Sequence, residues 1–520
     1  MYRSSAARTH RGAARRTGLL LGALLLAACS PLPSLDGRPD SRAFTDTDGT
    51  FLGRLIAPRA RAHPGRSGIL PLVDGHSAFA ARMRLADAAE RSLDVQYYIW
   101  HDDLSGTLLF DALRRAADRG VRVRLLLDDN RTAGMDRTLA ALDAHPHIEV
   151  RLFNPFTIRR FRPLAYLLDF ARLNRRMHNK SFTADNQATI IGGRNVGDEY
   201  FDATDAGLFA DLDVLAVGPV VQEVSRDFDR YWSSGSAYPA DRILAPIDSA
   251  AAAEAAQRAR ERMREPRAQD YLISVAAHPF VQDLLARRLT FHWAPTRMIS
   301  DDPAKGLGLA ESDAMLPHRL AERLGVPQRR LRLVSPYFVP ADAGTRELIA
   351  LAEGGVDVRI LTNSLAASDV LPVHAGYAKR RKALLRAGVR LFELRHTDDP
   401  PAPRPGIGIS SASSLHAKTF AVDGERVFIG SFNFDPRSAR LNTEMGFVIE
   451  DPELTRTIFR AFAEIIPRRA YEVRLTGTGE LEWLERDGDE VVVHRQEPDT
   501  TLWQRALVRL IALLPVEWLL

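Results

Sequence analysis

The chain has one cysteine, Cys29, and only five lysines beside 65 arginines in its 520 residues. A single cysteine excludes an intrachain disulfide framework. The uncharged apolar run at residues 18–28 is too short to span a bilayer comfortably. No glycine-rich loop leads into a phosphate-binding lysine, which argues against a nucleotide-binding P-loop. The histidines lack second ligands at metal spacing, and lysine beside His178 and His416 disfavours a divalent cation. The reading is of a chain that needs no metal and no cofactor.

Positive charge is also scarcer than it looks. The formal net charge is +4, but Arg3, Arg8, Arg11, Arg15 and Arg16 precede residue 29 with no acid among them, so their removal leaves −1. A protein that grips long nucleic acid keeps a basic excess, so no nucleic-acid partner is expected. Those arginines followed by the apolar run have the layout of a signal peptide over residues 1–28. Leu26-Ala27-Ala28-Cys29 resembles a bacterial lipoprotein cleavage box, with Cys29 the acylated residue and Ser30 suggesting outward sorting. The expected location is membrane-associated and lipid-anchored, on the exported side of the inner membrane or at the outer membrane. The alternative is a peripheral position on the cytoplasmic face behind an uncleaved leader.

What the sequence does contain is one constellation used twice. Residues 415–434 hold His416, Lys418, Asp423, Gly430, Ser431 and Asn433; His178, Lys180, Asp185, Gly192 and Asn195 stand 238 residues upstream at matching offsets. Gly193 occupies the position of Ser431, so the first copy lacks that hydroxyl. Two of the five lysines lie in these segments. On a strand, residues two apart leave the same face, which sets an imidazole beside an ammonium. That pairing suits a phosphate: lysine neutralises its oxygens while histidine attacks phosphorus or donates a proton.

The surroundings repeat as well. A strand at 92–100, a helix at 104–119 and a buried strand at 121–127 are matched by 330–339, 343–353 and 356–362. Tandem duplication of one α/β unit accounts for both repeats. Residues 29–70 read as a tether with irregular entry structure, 71–305 and 306–480 as the two units, and 481–520 as a hairpin and an amphipathic tail. The tail places Trp503, Leu507, Leu510, Ile511 and Leu514 on one face, for docking on the core or for contact with a membrane. His374, Tyr377, Lys379 and Arg380 share a predicted helix and are candidates for an anionic headgroup, or for solvated helix charge.

A phosphodiester displacement needs a nucleophile on one side and an acid on the other. Pseudo-twofold packing of the units would face the two histidines across one phosphate, with Lys180, Lys418, Asn195 and Asn433 on its oxygens. Asp185 and Asp423 are expected to bond a histidine ring nitrogen, of their own copy or the other, fixing its tautomer.

The paired segments resemble the H-x-K-x4-D-x6-G-S-x-N motifs of the phospholipase D superfamily. Residues 192–201, 292–305, 334–340, 361–389 and 433–446 are similar to cardiolipin synthases, most of all the C-type. The resemblance implies two tandem phospholipase D-like α/β domains in a pseudo-twofold pair, each a mixed β-sheet flanked by helices. It implies a phosphohistidine intermediate, with His178 as nucleophile and His416 as acid, and an acidic residue past each motif, Glu199 and Glu444, orienting histidine. The implied activity is transfer of a phosphatidyl group to phosphatidylglycerol, with phosphatidylglycerol or phosphatidylethanolamine among the membrane lipid partners. Water as acceptor would make it a phospholipase D instead. A secreted nuclease and a lipid-binding scaffold are the remaining alternatives, and a protein partner is left open.

Overall fold

A computed structural model describes residues 32–204, 209–286, 288–396, 414–488 and 490–520. The leader, Cys29 and Ser30 lie outside these.

Two large sheets dominate. The first runs in the order His292–Ala294, Ser67–Leu72, Asp213–Val217, Ala188–Gly192, Ser181–Ala184, Ser92–Tyr97, Arg122–Asp128, Ile148–Phe153, Ala237–Pro239. The second runs Thr296–Ser300, Met445–Ile449, Arg426–Gly430, Thr419–Val422, Arg330–Val334, Asp357–Asn363, Arg390–Leu394, Ala470–Leu475, Leu481–Asp487, Glu490–His494. With Ser67–Leu72 set against Thr296–Ser300, eight successive strands agree in order and sense. In each sheet three are mutually parallel and the rest antiparallel. The chain is therefore two copies of one mixed α/β unit.

The copies pack sheet to sheet. Ile69, Ile191, Val214 and Ala216 meet Val334, Ala421, Ile429 and Phe447 in one buried cluster, while helices cover the outer faces. Such two-sided burial suits the near-continuous apolar strands, for example Arg426–Gly430. Two short parallel pairings stitch the halves together: Met177 with Thr443, and Ser414–Leu415 with Phe209–Ala210. Each histidine follows one of these stitches directly.

Several expectations need revision. The stretch before residue 70 is ordered, with a helix Phe51–Ala62 capped by Thr50 and the strand Ser67–Leu72. Pro58 and Pro71 obscured both. Pro71 lies beyond the three-residue pairing with His292–Ala294, where the strand has become an edge. The segment before that helix is pinned to the first sheet, Arg124 and Arg151 donating to the Ser41 and Pro39 carbonyls. The chain passes from one sheet to the other at Pro295. The single helix expected to carry His374, Tyr377, Lys379 and Arg380 is two, Leu371–Ala378 and Arg381–Arg386. Part of its basic face is engaged within the protein, His374 and Arg381 bonding Glu497, Tyr377 bonding Glu393, and Arg380 pairing with Asp342 and Glu517, while Lys379 stays exposed with Glu517 at 4.0 Å. The tail helix Leu502–Ala512 docks on Leu371–Ala378 through Val508, Ile511 and Ala512.

The two motif aspartates stand away from the histidines they were expected to bond. Asp185 and Asp423 lie in the turns of equivalent hairpins with φ of 52° and 55°. Asp185 accepts the backbone N–H groups of Glu90, Arg91 and Ser92, and Asp423 those of Gln328, Arg329 and Arg330. Neither bonds a motif histidine in the structure, because the turn lies at the opposite end of the strand from His178 or His416. Their work is to tie the motif hairpin to the start of the neighbouring central strand. Asp185 is fully buried, whereas the amides under Asp423 are exposed. Asp185→Ala should therefore cost about 3 kcal/mol or more of stability, and Asp423→Ala about half that. Denaturant unfolding checks this, and equal losses would contradict it.

Candidate active site

The residues at the motif starts are held in place from behind. Asp128 binds the Arg176 guanidinium and accepts the Met177 N–H at 2.7 Å, so the backbone entering His178 is fixed on both sides. The His178 N–H donates to the Thr443 carbonyl and the His416 N–H to the Ala210 carbonyl, each at 2.8 Å. Both histidines are buried, 7% and 8% exposed.

Each ring is oriented by an acid of the other half. His178 Nδ1 lies 2.8 Å from Glu444 Oε2, and His416 Nδ1 lies 2.6 Å from Asp211 Oδ2. Sheet register makes the two acids equivalent, since Gly446 pairs with Gly430 and Asp213 pairs with Gly192, each acid standing two residues earlier. Glu444 matches its expected neighbourhood. Glu199 does not: it sits in the turn Asp198–Tyr200 and holds His101 Nε2 at 3.2 Å. The first copy has a longer loop between these strands, so counting from the motif picks Glu199 and passes over Asp211. Aligning the following strands, Asp213–Val217 and Met445–Ile449, would have found it.

The Gly193 departure has a steric explanation. A Cβ there would stand 2.1 Å from Asp211 Oδ1, so a serine would displace the acid. In the other half Ser431 donates to Glu444 Oε2 and accepts the Met445 N–H. Two further braces escaped sequence reading. Asp301, held by Lys305 at 2.9 Å, accepts the Glu444 N–H, and Arg194 donates to the Asp211 carbonyl.

The lysines complete the cluster. Lys180 Nζ donates to the His178 carbonyl at 2.6 Å, and Lys418 makes the same bond to His416. Tyr98 packs edge-on against His178 and Tyr200 against His416, with ring centroids 5.0 and 5.2 Å apart. Asn195 donates to the Tyr200 hydroxyl. The Asn433 amide oxygen is buried with no partner among the described residues, which leaves it hydrogen-bonding capacity for a ligand.

Electrostatics breaks the twofold symmetry. Burial, reinforced by Lys180, Lys418 and His416, pushes His178 well below its ordinary range. Its acid, Glu444, is pushed up by burial to about 7. Burial also works to raise Asp211, but His416, Lys418 and Arg194 outweigh it and hold Asp211 below the usual carboxylate range. His416 is lowered by burial and Lys418, with Asp211 working against them. One pair is thus poised as neutral imidazole with an acid about half protonated at neutral pH, the other as imidazole beside a carboxylate. Burial lowers Lys180 to about 7 and Lys418 to about 8. A buried anion between them would restore their charge.

Among the described residues, one group has metal-like spacing: Asp74, His76 and Asp202. Their carboxylates already accept the Ser77 and Gly75 N–H groups, and they are not among the motif residues. An apolar groove of about 1090 Å³ opens on the outer face of the second sheet and reaches Phe434 and Trp518 without including either histidine.

The asymmetry yields a test. In histidine-selectively labelled protein, Asp211→Asn should lower the His416 ring pKa by about one unit or more, because it removes a charge at hydrogen-bond distance. Glu444→Gln should leave His178 little changed at neutral pH and below. NMR titration of the ring nitrogens reads both, and a matching fall at His178 in Glu444→Gln would contradict the assignment.

Comparisons with known proteins agree with this geometry. The family described as "Cardiolipin synthase, PLD-like domain" matches residues 83–232 and 320–466, one match in each half. The chain is 50% identical over 471 residues to cardiolipin synthase C of Escherichia coli K12, covering 90% of this chain and 99% of that one. It is 31% identical over 413 residues to an uncharacterized protein of Helicobacter pylori 26695, covering 79% and 81%. The crystal structure of phosphatidylserine synthase from Haemophilus influenzae shares the fold, with a TM-score of 0.53 at 14% identity over 89% of this chain and 99% of that one. The chain belongs to the PLD-like cardiolipin synthase family of the phospholipase D superfamily.

Proposed function

We propose that the protein is a phosphatidyl transferase that makes cardiolipin, taking a phosphatidyl group from one membrane phospholipid and passing it to the hydroxyl of phosphatidylglycerol. The observation that carries the reading is the pair of buried lysines with suppressed charge beside two histidines, each held by an acid of the opposite half. Such a site is incomplete until an anion enters it. A phosphodiester supplies that anion, and the family relationship gives its class.

In this reading His178, neutral and unprotonated, attacks phosphorus through Nε2, since Nδ1 is engaged by Glu444. The P–O bond to the leaving alcohol breaks as that alcohol takes a proton from His416, which the Asp211 carboxylate and the incoming phosphate together keep protonated against burial and Lys418. Lys180, Lys418, Asn195 and Asn433 hold the non-bridging oxygens as charge gathers on them. The acceptor hydroxyl then attacks phosphorus, the P–N bond breaks to release neutral His178, and His416, now neutral, takes the acceptor's proton. Asp185 and Asp423 act at a distance, by keeping the hairpins in register.

Water is the competing acceptor. Transfer prevails only where the second lipid is positioned and water is kept from phosphorus. In vesicles containing phosphatidylglycerol the expected main product is cardiolipin, read by lipid mass spectrometry. A product that is mostly phosphatidic acid would replace the synthase reading with a phospholipase D. The roles of the histidines separate too: His178→Ala should form no covalent adduct, and His416→Ala one that forms slowly and persists. Intact-mass measurement decides, and an adduct on His178→Ala would reverse the assignment.

The anchor is part of the same proposal. Acylated Cys29 would keep the site at a bilayer where lipid alcohols are concentrated, several chains anchoring firmly where one does so marginally. A metabolic fatty-acid label should appear on the wild type and vanish in Cys29→Ser. A signal independent of Cys29 would defeat this. None of the described helices is long and apolar enough to cross a membrane.

A further inference from the structure

We propose that the outward apolar residues at 161–170 and those of the C-terminal segment form one membrane-contact face, seated in the acyl-headgroup boundary of a phospholipid leaflet beside the two motifs. The inference takes its occupant, a phospholipid leaflet, from the substrate class proposed above; the face itself comes from the geometry.

The first patch lies on helices Arg162–Leu168 and Phe170–Leu173 and the residue before them. Leu167 is 79% exposed and Phe161 60%, with Leu168 and Phe170 also exposed. The second is the tail, where Trp503 is 85% exposed and Leu513 82%, together with Leu507, Leu510, Leu514 and Trp518. Neither is a helix that failed to dock. Ala165 and Leu173 already pack against Phe156, and Val508 packs against Leu365 and Ala375. Each segment has satisfied its core with one face and presents a second apolar face to the outside. Isolated exposed apolar residues are ordinary, but clusters of this kind mark contact surfaces.

One residue joins the two patches. Arg437 donates from Nε to the Leu519 carbonyl at 2.8 Å, and from its two terminal nitrogens to the carbonyl and side-chain oxygens of Asn174 at 3.1 and 2.7 Å. Its own N–H donates to the Leu520 carbonyl. Asn174 is four residues before His178, and Arg437 four residues after Asn433. The patches are thus fastened to each other at the point where both motifs begin or end.

Charge fits the same occupant. Arg160 and Arg509 are exposed within the two segments. The acids there are neutralised: Asp169 by Arg172 at 2.7 Å and Glu517 by Arg380 at 2.9 Å. Tryptophan and arginine beside an apolar face are the composition of a helix lying in the interface of an anionic leaflet. A face of this kind would hold the motifs against the layer from which both lipid substrates come.

Tryptophan fluorescence tests the proposal. Trp100, Trp232 and Trp483 are buried and Trp293 is half-buried, stacked on His63, whereas Trp503 and Trp518 are exposed. Full-length protein reconstituted into phosphatidylglycerol–phosphatidylethanolamine vesicles with acyl-brominated lipid should be quenched. Trp503→Phe/Trp518→Phe should lose that quenching, and Leu167→Trp on this background should regain it; circular dichroism confirms folding of each variant. An unquenched wild type, or no recovery with Leu167→Trp, would overturn the single-face proposal. So would vesicle-free self-association that Leu513→Ser abolishes, which would make the face a contact between copies. Quenching needs no turnover, so a protein that quenches but makes no cardiolipin fails only as a transferase.

Discussion

The exchange of acids between the halves is the constraint on which the rest of the structure depends. His178 is oriented by Glu444 and His416 by Asp211, so neither motif has a positioned imidazole without the opposite unit. The stitches Met177–Thr443 and Leu415–Ala210 bring backbone to backbone one residue ahead of each histidine and each acid. Short-range geometry at the site therefore depends on the sheet-to-sheet core formed by residues such as Ile191, Val214, Ala421 and Phe447.

Duplication supplies symmetry, and function needs it broken. A displacement at phosphorus requires one imidazole free to attack and another ready to hand over a proton. Here the difference comes from the acids. Glu444 lies among groups that leave burial dominant and rises to about 7, whereas Asp211 is surrounded by His416, Lys418 and Arg194 and stays ionised. Gly193 and Ser431 belong to the same divergence, one clearing space for Asp211 and the other donating to Glu444.

Much of this was legible in the sequence because the repeat carries its own internal control. The matched offsets of His178 and His416, and of the strand-helix-strand units around residues 92–127 and 330–362, indicate a duplicated α/β fold before any coordinate is seen. The misreadings have physical causes. Asp185 and Asp423 are expected by spacing to bond a histidine, but a turn residue with positive φ at the far end of a strand spends its carboxylate on nearby amides. Asp211 was hidden by a longer loop, and register recovered it where counting could not. His374, Tyr377 and Arg380 looked free in the sequence because their partners, Glu497, Glu393 and Glu517, come from distant segments.

The central claim is that two motifs make one phosphate site. The number of phosphatidyl groups bound covalently per chain tests it most directly, measured by intact mass after rapid quenching in denaturant at mildly alkaline pH during turnover of the wild-type protein. The account predicts no more than one per chain, on His178. Two groups on one chain, one at each histidine, would show that the motifs act independently and would contradict it.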